Sequence, residues 1–182
     1  QVDHFTALDR GEVHVSLTGL EPAVGADQIH RMEVDRMSVV CLMDADNPLA
    51  EENMTREQYA AAAHGLVSIT GRGPGVMDEQ LARFGLSRRV QVRLSSFMSV
   101  ADFCEGTDLI FSLPERLAHY IARNRRLVVR PLPAQLIQRQ VVFYLYWHQR
   151  HHRDPACIWL RNQVAELLRE GVFTPEGAVI PE

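Results

Sequence analysis

The chain has 182 residues, a formal net charge of -4, and 46% hydrophobic and 23% charged side chains. That length suits one domain or two small lobes sharing a core; the composition excludes a disordered chain, and the acidic balance excludes a nucleic-acid grip through a concentrated positive face. All 19 basic residues are arginine, the three cysteines (Cys41, Cys104, Cys157) are scattered as reduced thiols in a cytoplasm would be, and no apolar run reaches the ~18 residues of a membrane span.

Residues 5–10 read as the end of a helix, with Phe5 and Leu8 on one face and Gly11 placed to stop it. Residues 13–18 (VHVSLT) follow as a strand, with His14 at a solvated loop edge, and residues 19–27 form a Pro and Gly loop. Residues 29–34 and 37–43 are two extended runs, the second almost wholly apolar, as a strand covered on both faces should be; Asp35 and Arg36 make a hinge between them. Asn47 and Pro48 begin a turn.

Thr55 with Gln58 has capping-box spacing and opens an alanine-rich helix, EQYAAAAH, that Gly65 closes. Residues 66–70 (LVSIT) are a strand, and the loop GRGPG then opens the helix VMDEQLARF. Residues 88–94 (RRVQVRL) alternate as a half-exposed strand does. Ser95 or Ser96 caps a short helix that Gly106 ends, residues 107–113 form a β-rich apolar run, and Pro114 opens the next helix. Residues 127–130 are a strand, and Pro131 and Pro133 bracket a crossing back to the first sheet, which residues 141–147 rejoin. Asp154 caps a last helix with Pro155 at its first position; Cys157, Leu160, Val164, Leu167 and Leu168 keep helical spacing as its apolar face until Gly171.

A strand between two helices makes an α/β layer, and open sheets of that kind hold small molecules beyond the carboxyl ends of their strands. Two loops there are candidates for gripping a ligand. Ser68, Thr70, Gly71, Arg72 and Gly73 lead into one helix; Ser95, Ser96, Phe97, Met98 and Ser99 lead into another. Each sets hydroxyls and backbone N–H groups at a helix N-terminus, which favours anions. Arg72 would clamp a carboxylate, and Phe97 and Met98 would supply an apolar wall. The plainer readings stand beside these: a serine before a helix is also its cap, Arg72 is also a solvated side chain, and Phe97 and Met98 are also core.

His148, His151 and His152, near Asp154, have spacing compatible with a shared metal, but the arginines around them and Pro155 read as a solvated loop, so neither a metal nor a cofactor is expected. No G-x-S-x-G, P-loop, H-E-x-x-H or C-x-x-C motif occurs, Cys104 reads as packed and inert, and Asp102, Glu105 and Asp108 are acid–base candidates only by proximity, so an enzyme is not expected.

Residues 105–118 (EGTDLIFSLPERLA), 143–168 (FYLYWHQRHHRDPACIWLRNQVAELL) and 8–17 (LDRGEVHVSL) resemble, in family order, stretches of LysR-type transcriptional regulators. NPLA at residues 47–50 is similar to that family's His-Pro-Leu-Ala, with Asn47 in place of His, and His14 stands where the family usually has Asp. The tryptophans and the Asp154-Pro155 helix start resemble the branch that senses aromatic compounds and flavonoids. The resemblance implies a two-lobed, type 2 periplasmic-binding-protein-like α/β fold with two crossover segments. Lobe I would be residues 1–34 and 135–182, and lobe II residues 35–134, with no DNA-binding domain in this chain. It further implies an effector site between the lobes for an aromatic acid or flavonoid-like molecule, at the two loops named above. The intact regulator would be a cytoplasmic homodimer or homotetramer, off the membrane, reaching DNA through an N-terminal winged helix-turn-helix and with RNA polymerase a candidate partner. The family's domain begins with a central strand and a long helix ahead of the segment matching Gln1 onward; without them the first lobe is expected to show open strand edges and apolar surface. The alternatives are a small-molecule enzyme or a transporter's solute-binding protein on the same scaffold.

Overall fold

The computed structural model describes residues 3–22, 26–51, 53–68, 75–136 and 140–169. Along the chain run α1 (His4–Arg10), β1 (Ser16–Thr18), β2 (Ile29–Met37), β3 (Val39–Asp44), α2 (Arg56–Ala61), β4 (Ala63–Val67), α3 (Val76–Ala82), β5 (Arg89–Leu94), α4 (Val100–Cys104), β6 (Leu109–Pro114), α5 (Glu115–Ala122), β7 (Leu127–Pro131), β8 (Val141–His148) and α6 (Pro155–Arg169). Among the described residues the chain crosses between two compact units twice, at Met37/Ser38 and at Gln140/Val141. Among the described residues no helix is long and apolar enough to cross a membrane.

The first unit is an antiparallel sheet in the order β1-β8-β2. Side chains alternate along β8, so Tyr146 and Trp147 face opposite ways. Helix α1, capped by Asp3 on the Phe5 N–H and ended by Gly11 at a φ of 71°, sets Phe5 edge-on against Tyr146, with ring centroids 5.1 Å apart. Helix α6 lies over Trp147, and Asp154 caps it through the Cys157 N–H at 2.8 Å.

The expected apolar stripe of α6 is not its buried face. Cys157, Arg161 and Ala165 are buried, whereas Leu160 and Leu167 are 38% and 52% exposed. Arg161 lies on the buried face because its guanidinium sits 4.2 Å over the Trp147 ring and its two Nη atoms donate to the carbonyls of His151 (3.2 Å) and His152 (3.1 Å). Arg161→Ala removes two charge-assisted hydrogen bonds and a cation–π contact and should lower stability by about 2–4 kcal/mol in urea unfolding. Arg161→Lys should recover less than half, because an ammonium cannot serve both carbonyls and the ring at once.

Other boundaries move for similar reasons. Strand β1 covers only Ser16–Thr18, because the Val13 N–H turns back to the Ala7 carbonyl behind α1. Asp35 and Arg36 are no hinge: they pair with Phe143 and Val142 in β2 past a bulge, so the crossing falls after Met37 rather than after Val34. The return crossing likewise falls at Gln140 rather than near Ala134, since Leu136 is buried in the second unit's core.

The second unit is a five-stranded sheet in the order β5-β4-β6-β3-β7. Strand β4 runs parallel to both β5 and β6, and β3 runs antiparallel to both β6 and β7. Period-two alternation divides its side chains between two faces. Val40, Leu42, Leu109, Phe111 and Leu113 meet α4 and α5 on one face, while Cys41, Met43 and Ile110 meet α2 and α3 on the other.

Thr55 and Gln58 form the capping box that starts α2, as their spacing predicts. The helix stops at Ala61, however, and Ala63 and His64, expected as helix, and Gly65, expected to close it, begin β4 instead. Gly65 is strand because it lies opposite Phe111 in the ladder and beneath its ring.

Candidate functional site

The site builds from the connections of β4 and β5. These neighbours are parallel, Val67 stands opposite Leu94, and the Ser68 N–H donates to the Leu94 carbonyl at 2.8 Å. Their carboxyl ends therefore abut. The helices that follow diverge: α3 brings Met77 and Leu81 to one face of the sheet, whereas α4 brings Val100, Ala101 and Cys104 to the other. Chains that leave adjacent strand ends toward opposite faces open a crevice at the sheet's edge, where open α/β sheets bind ligands.

Of the residues expected there, Ser68 is half-buried at the end of β4, and Ser95 and Ser96 are exposed at the end of β5. Ser96, rather than Ser95, is the cap: its hydroxyl accepts the Met98 N–H at 3.2 Å and starts a 3-10 turn, Phe97–Ser99, that runs into α4. Phe97 is half-buried and packs against the core on the α4 face, as Val67 and Val92 do. Met98 is 61% exposed and lines a hollow of about 270 Å³ with Ala101, Tyr120, Ile121, Arg123 and Arg125. The abutting strand ends thus bring Ser68, Ser95 and Ser96 together, whereas Phe97 packs on the α4 face and Met98 lines the hollow with residues of α4 and α5. Thr70, Gly71, Arg72 and Gly73 lie outside the described residues.

Sequence reasoning missed Arg88, one residue before β5. Its side chain is 1% exposed, and its Nε donates to Asp78 Oδ1 at 2.7 Å. Its Nη1 donates to the Tyr59 hydroxyl at 3.2 Å, which is in turn 2.7 Å from Ser112 Oγ. Burial works against the Asp78 carboxylate, yet Arg88 and the Gly75 N–H hold its pKa below the usual value. The one available signal was Asp78 in the first turn of a helix, which a capping reading would have flagged.

The remaining chemical candidates sit elsewhere. Asp102 and Glu105 both pair with Arg125 (3.0 and 3.1 Å), and Glu105 also accepts the Arg126 N–H at 3.0 Å, which holds its pKa down. These groups lie by the starts of β6 and β7, at the opposite edge of the sheet. Burial pushes the thiols of Cys41 and Cys104 up to about 12, so both are protonated at neutral pH. Asn47 is structural here: its Nδ2 donates to the Asp108 carbonyl at 3.2 Å and its Oδ1 accepts the Leu49 N–H at 2.9 Å.

The clustered histidines turn to separate partners. His148 Nδ1 accepts from Arg150 while its Nε2 faces Asp9 at 3.6 Å, His152 Nδ1 accepts the Trp147 indole N–H at 3.2 Å, and His151 leans on His14, 4.6 Å between centroids. Among the described residues no three His, Cys, Asp or Glu side chains are grouped to hold a metal ion.

Comparison with known proteins gives the family. A family model described as LysR substrate binding domain matches residues 2–169. The HTH-type transcriptional activator NagR of a Ralstonia species is 31% identical over 163 residues, which cover 90% of this chain and 53% of that protein. The HTH-type transcriptional activator NahR of Pseudomonas putida is 29% identical over 164 residues, with the same two coverages, 90% and 53%. The chain spans about half the length of the curated relatives it matches. Among solved structures, the regulatory domain of MexT, a transcriptional activator in Pseudomonas aeruginosa, superposes with a TM-score of 0.76 at 27% identity, covering 88% of this chain and 76% of that one.

Proposed function

Because the chain belongs to the LysR substrate-binding domain family, we propose that it is the effector-binding part of a bacterial transcriptional regulator. It takes a small aromatic acid or flavonoid-like molecule at the carboxyl edge of the five-stranded sheet. The two compact units are the lobes of that domain. The site is Ser68, Ser95 and Ser96, with Thr70, Gly71, Arg72 and Gly73 in the segment between Ser68 and α3; Phe97 and Met98, expected in its wall, stand outside it on the α4 face.

The observation that carries this reading is the divergence of α3 and α4 from abutting ends of β4 and β5, with Ser68 and Ser95 at its mouth. An effector that fits one arrangement of the domain better than another shifts the population toward it by that difference in affinity. A helix-turn-helix elsewhere in the intact protein, as the names of NagR and NahR print for those relatives, reads the shift at DNA. The intact regulator works in the cytoplasm as a homodimer or homotetramer, with RNA polymerase as its partner at promoters. Catalysis is disfavoured, because Asp102 and Glu105 are bound up in ion pairs at the other sheet edge.

The test is thermal unfolding of the full-length regulator with benzoate, larger aromatic acids and flavone. At a hundredfold excess over Kd a ligand selective for the folded state adds about 2.7 kcal/mol, a rise in Tm of roughly 5–10 °C. Ser68→Ala and Ser95→Ala should each weaken binding about 5- to 10-fold, the worth of one hydrogen bond. A flat response across the panel, or undiminished binding in the double variant, would sink the reading.

A further inference from the structure

The Arg88 cluster has no place in the effector site as built so far, and it is an unusual thing to bury. Taking a guanidinium fully out of water, and its carboxylate partner three-quarters so, returns little net stability, and a pair of apolar side chains of the same shape holds a helix to a sheet as well or better. What an ion pair gives and an apolar pair does not is a fixed geometry. Arg88 grips both carboxylate oxygens of Asp78, at 2.7 Å through Nε and 3.4 Å through Nη2, in the fork-to-fork arrangement that fixes direction as well as distance.

Asp78 sits in the first turn of α3, and its Oδ2 also accepts the N–H of Gly75, the residue that caps that helix. Gly75 is packed close: a Cβ there would stand 3.1 Å from Leu66 Cδ1 and 3.3 Å from Arg88 Nη2. On its other side Arg88 donates to Tyr59 of α2, whose hydroxyl meets Ser112 of β6. A chain of polar contacts therefore runs from a central strand, through α2 and the residue before β5, to the first turn of α3. Only Met77 and Leu81 of that seven-residue helix are buried, so this chain is the main directional restraint on where α3 begins.

Resting on the reading of the sheet edge as the effector site, we propose that Arg88, Asp78 and Tyr59 are its positioning residues. They touch no effector. They hold the start of α3 beside the carboxyl ends of β4 and β5, so that the crevice is already in its binding shape before the ligand arrives. A group held in advance loses less freedom on binding, and affinity rises without a new contact.

The experiment uses the full-length regulator, benzoate as the probe, and Arg88→Lys, Tyr59→Phe and, as a control, Ile121→Val, which thins the core on the opposite face of the same sheet. Amide hydrogen exchange across residues 75–81 and benzoate affinity are both measured well below each variant's Tm. Arg88→Lys keeps the charge and loses the fork; it should speed exchange in the first turn of α3 about tenfold and weaken benzoate about tenfold. Tyr59→Phe should do the same about threefold, and serves alone should Arg88→Lys not fold. Ile121→Val should lower Tm and leave benzoate affinity unchanged.

Unchanged exchange in both network variants, whatever benzoate does, overturns the positioning role, as does faster exchange with wild-type benzoate affinity. Failure of benzoate to bind the unaltered regulator is a different result: it overturns the effector reading and takes this inference with it. Binding that Ser68→Ala weakens but Arg88→Lys does not would retain the site and retire only the positioning set.

Discussion

Gly65→Ala is expected to unfold the second unit or to cost it about 3 kcal/mol or more, at the upper end of what overpacking does in a filled core. A methyl group at Gly65 would lie 2.0 Å from Phe111 Cζ and 2.1 Å from Cε1, distances no packed atoms tolerate. Neither partner can yield. Phe111 is fully buried among Leu42, Val100 and Leu113, and β4 is hydrogen-bonded on both sides, to β5 and β6. Phe111→Leu in the same chain removes the ring edge that clashes, so the double variant should be more stable than Gly65→Ala alone, a non-additivity that only contacting residues show. Urea unfolding of the two single variants and the double decides it. Wild-type stability for Gly65→Ala would mean the ring does not lie over β4.

The same glycine shows where local sequence stops informing the fold. The run EQYAAAAH carries strong helix propensity and a valid capping box, and both were legible; the box formed. What ends the helix three residues early is a strand pairing with residues 109–111 and 89–94, together with a ring from β6 that demands a missing side chain. Those partners lie tens of residues away, and nothing within the run announces them. Caps fared better because they are local: Gly11, Ser96, Gly106 and Asp154 each act on an N–H or a φ within a few residues of themselves.

Charge misled in a related way. A reading by hydrophobic pattern places arginine in solvent, yet Arg88 and Arg161 are among the best-buried side chains of their units. The partners of Arg88 come from two helices, and Arg161 is buried by two carbonyls from the turn before its own helix and by an indole face from β8. Periodicity saw the stripe from Cys157 to Leu168 and missed that one turn of it is cationic. The candidate site was half legible for the same reason. Serines that precede helices are visible as caps, and the placing of Ser68 beside Ser95 follows from β4 and β5 being adjacent and parallel. The ion pair that braces the start of α3 depends on three elements meeting.

His64 should make the second unit sensitive to mild acid. Its side chain is fully buried in β4, its Nε2 lies 2.6 Å from the Tyr59 carbonyl, and its ring is edge-on to the Tyr59 ring with centroids 4.6 Å apart. Burial pushes its pKa from 6.5 down to about 4, and the nearby Arg88 charge pushes the same way, against the partial relief that the Tyr59 carbonyl gives. In the unfolded chain the imidazole takes its proton near 6.5. Between these values the unfolded state holds more protons, so stability falls as pH drops through that window and this group's effect is flat outside it. The full loss is on the order of 3 kcal/mol, from about 1.4 kcal/mol per pH unit over the displacement. The carboxylates of Asp78, Asp44 and Glu105, whose folded pKa values are depressed, begin to weaken the fold as pH falls through their unfolded values, at the lower end of this window, and they do so equally in wild type and in a His64 variant. His64→Leu fills a similar volume and cannot titrate, so its stability relative to wild type should improve steadily from pH 7 to pH 4, by about 3 kcal/mol in all. Urea midpoints for both proteins across that range measure it, and parallel profiles would show that His64 titrates alike in the folded and unfolded chains.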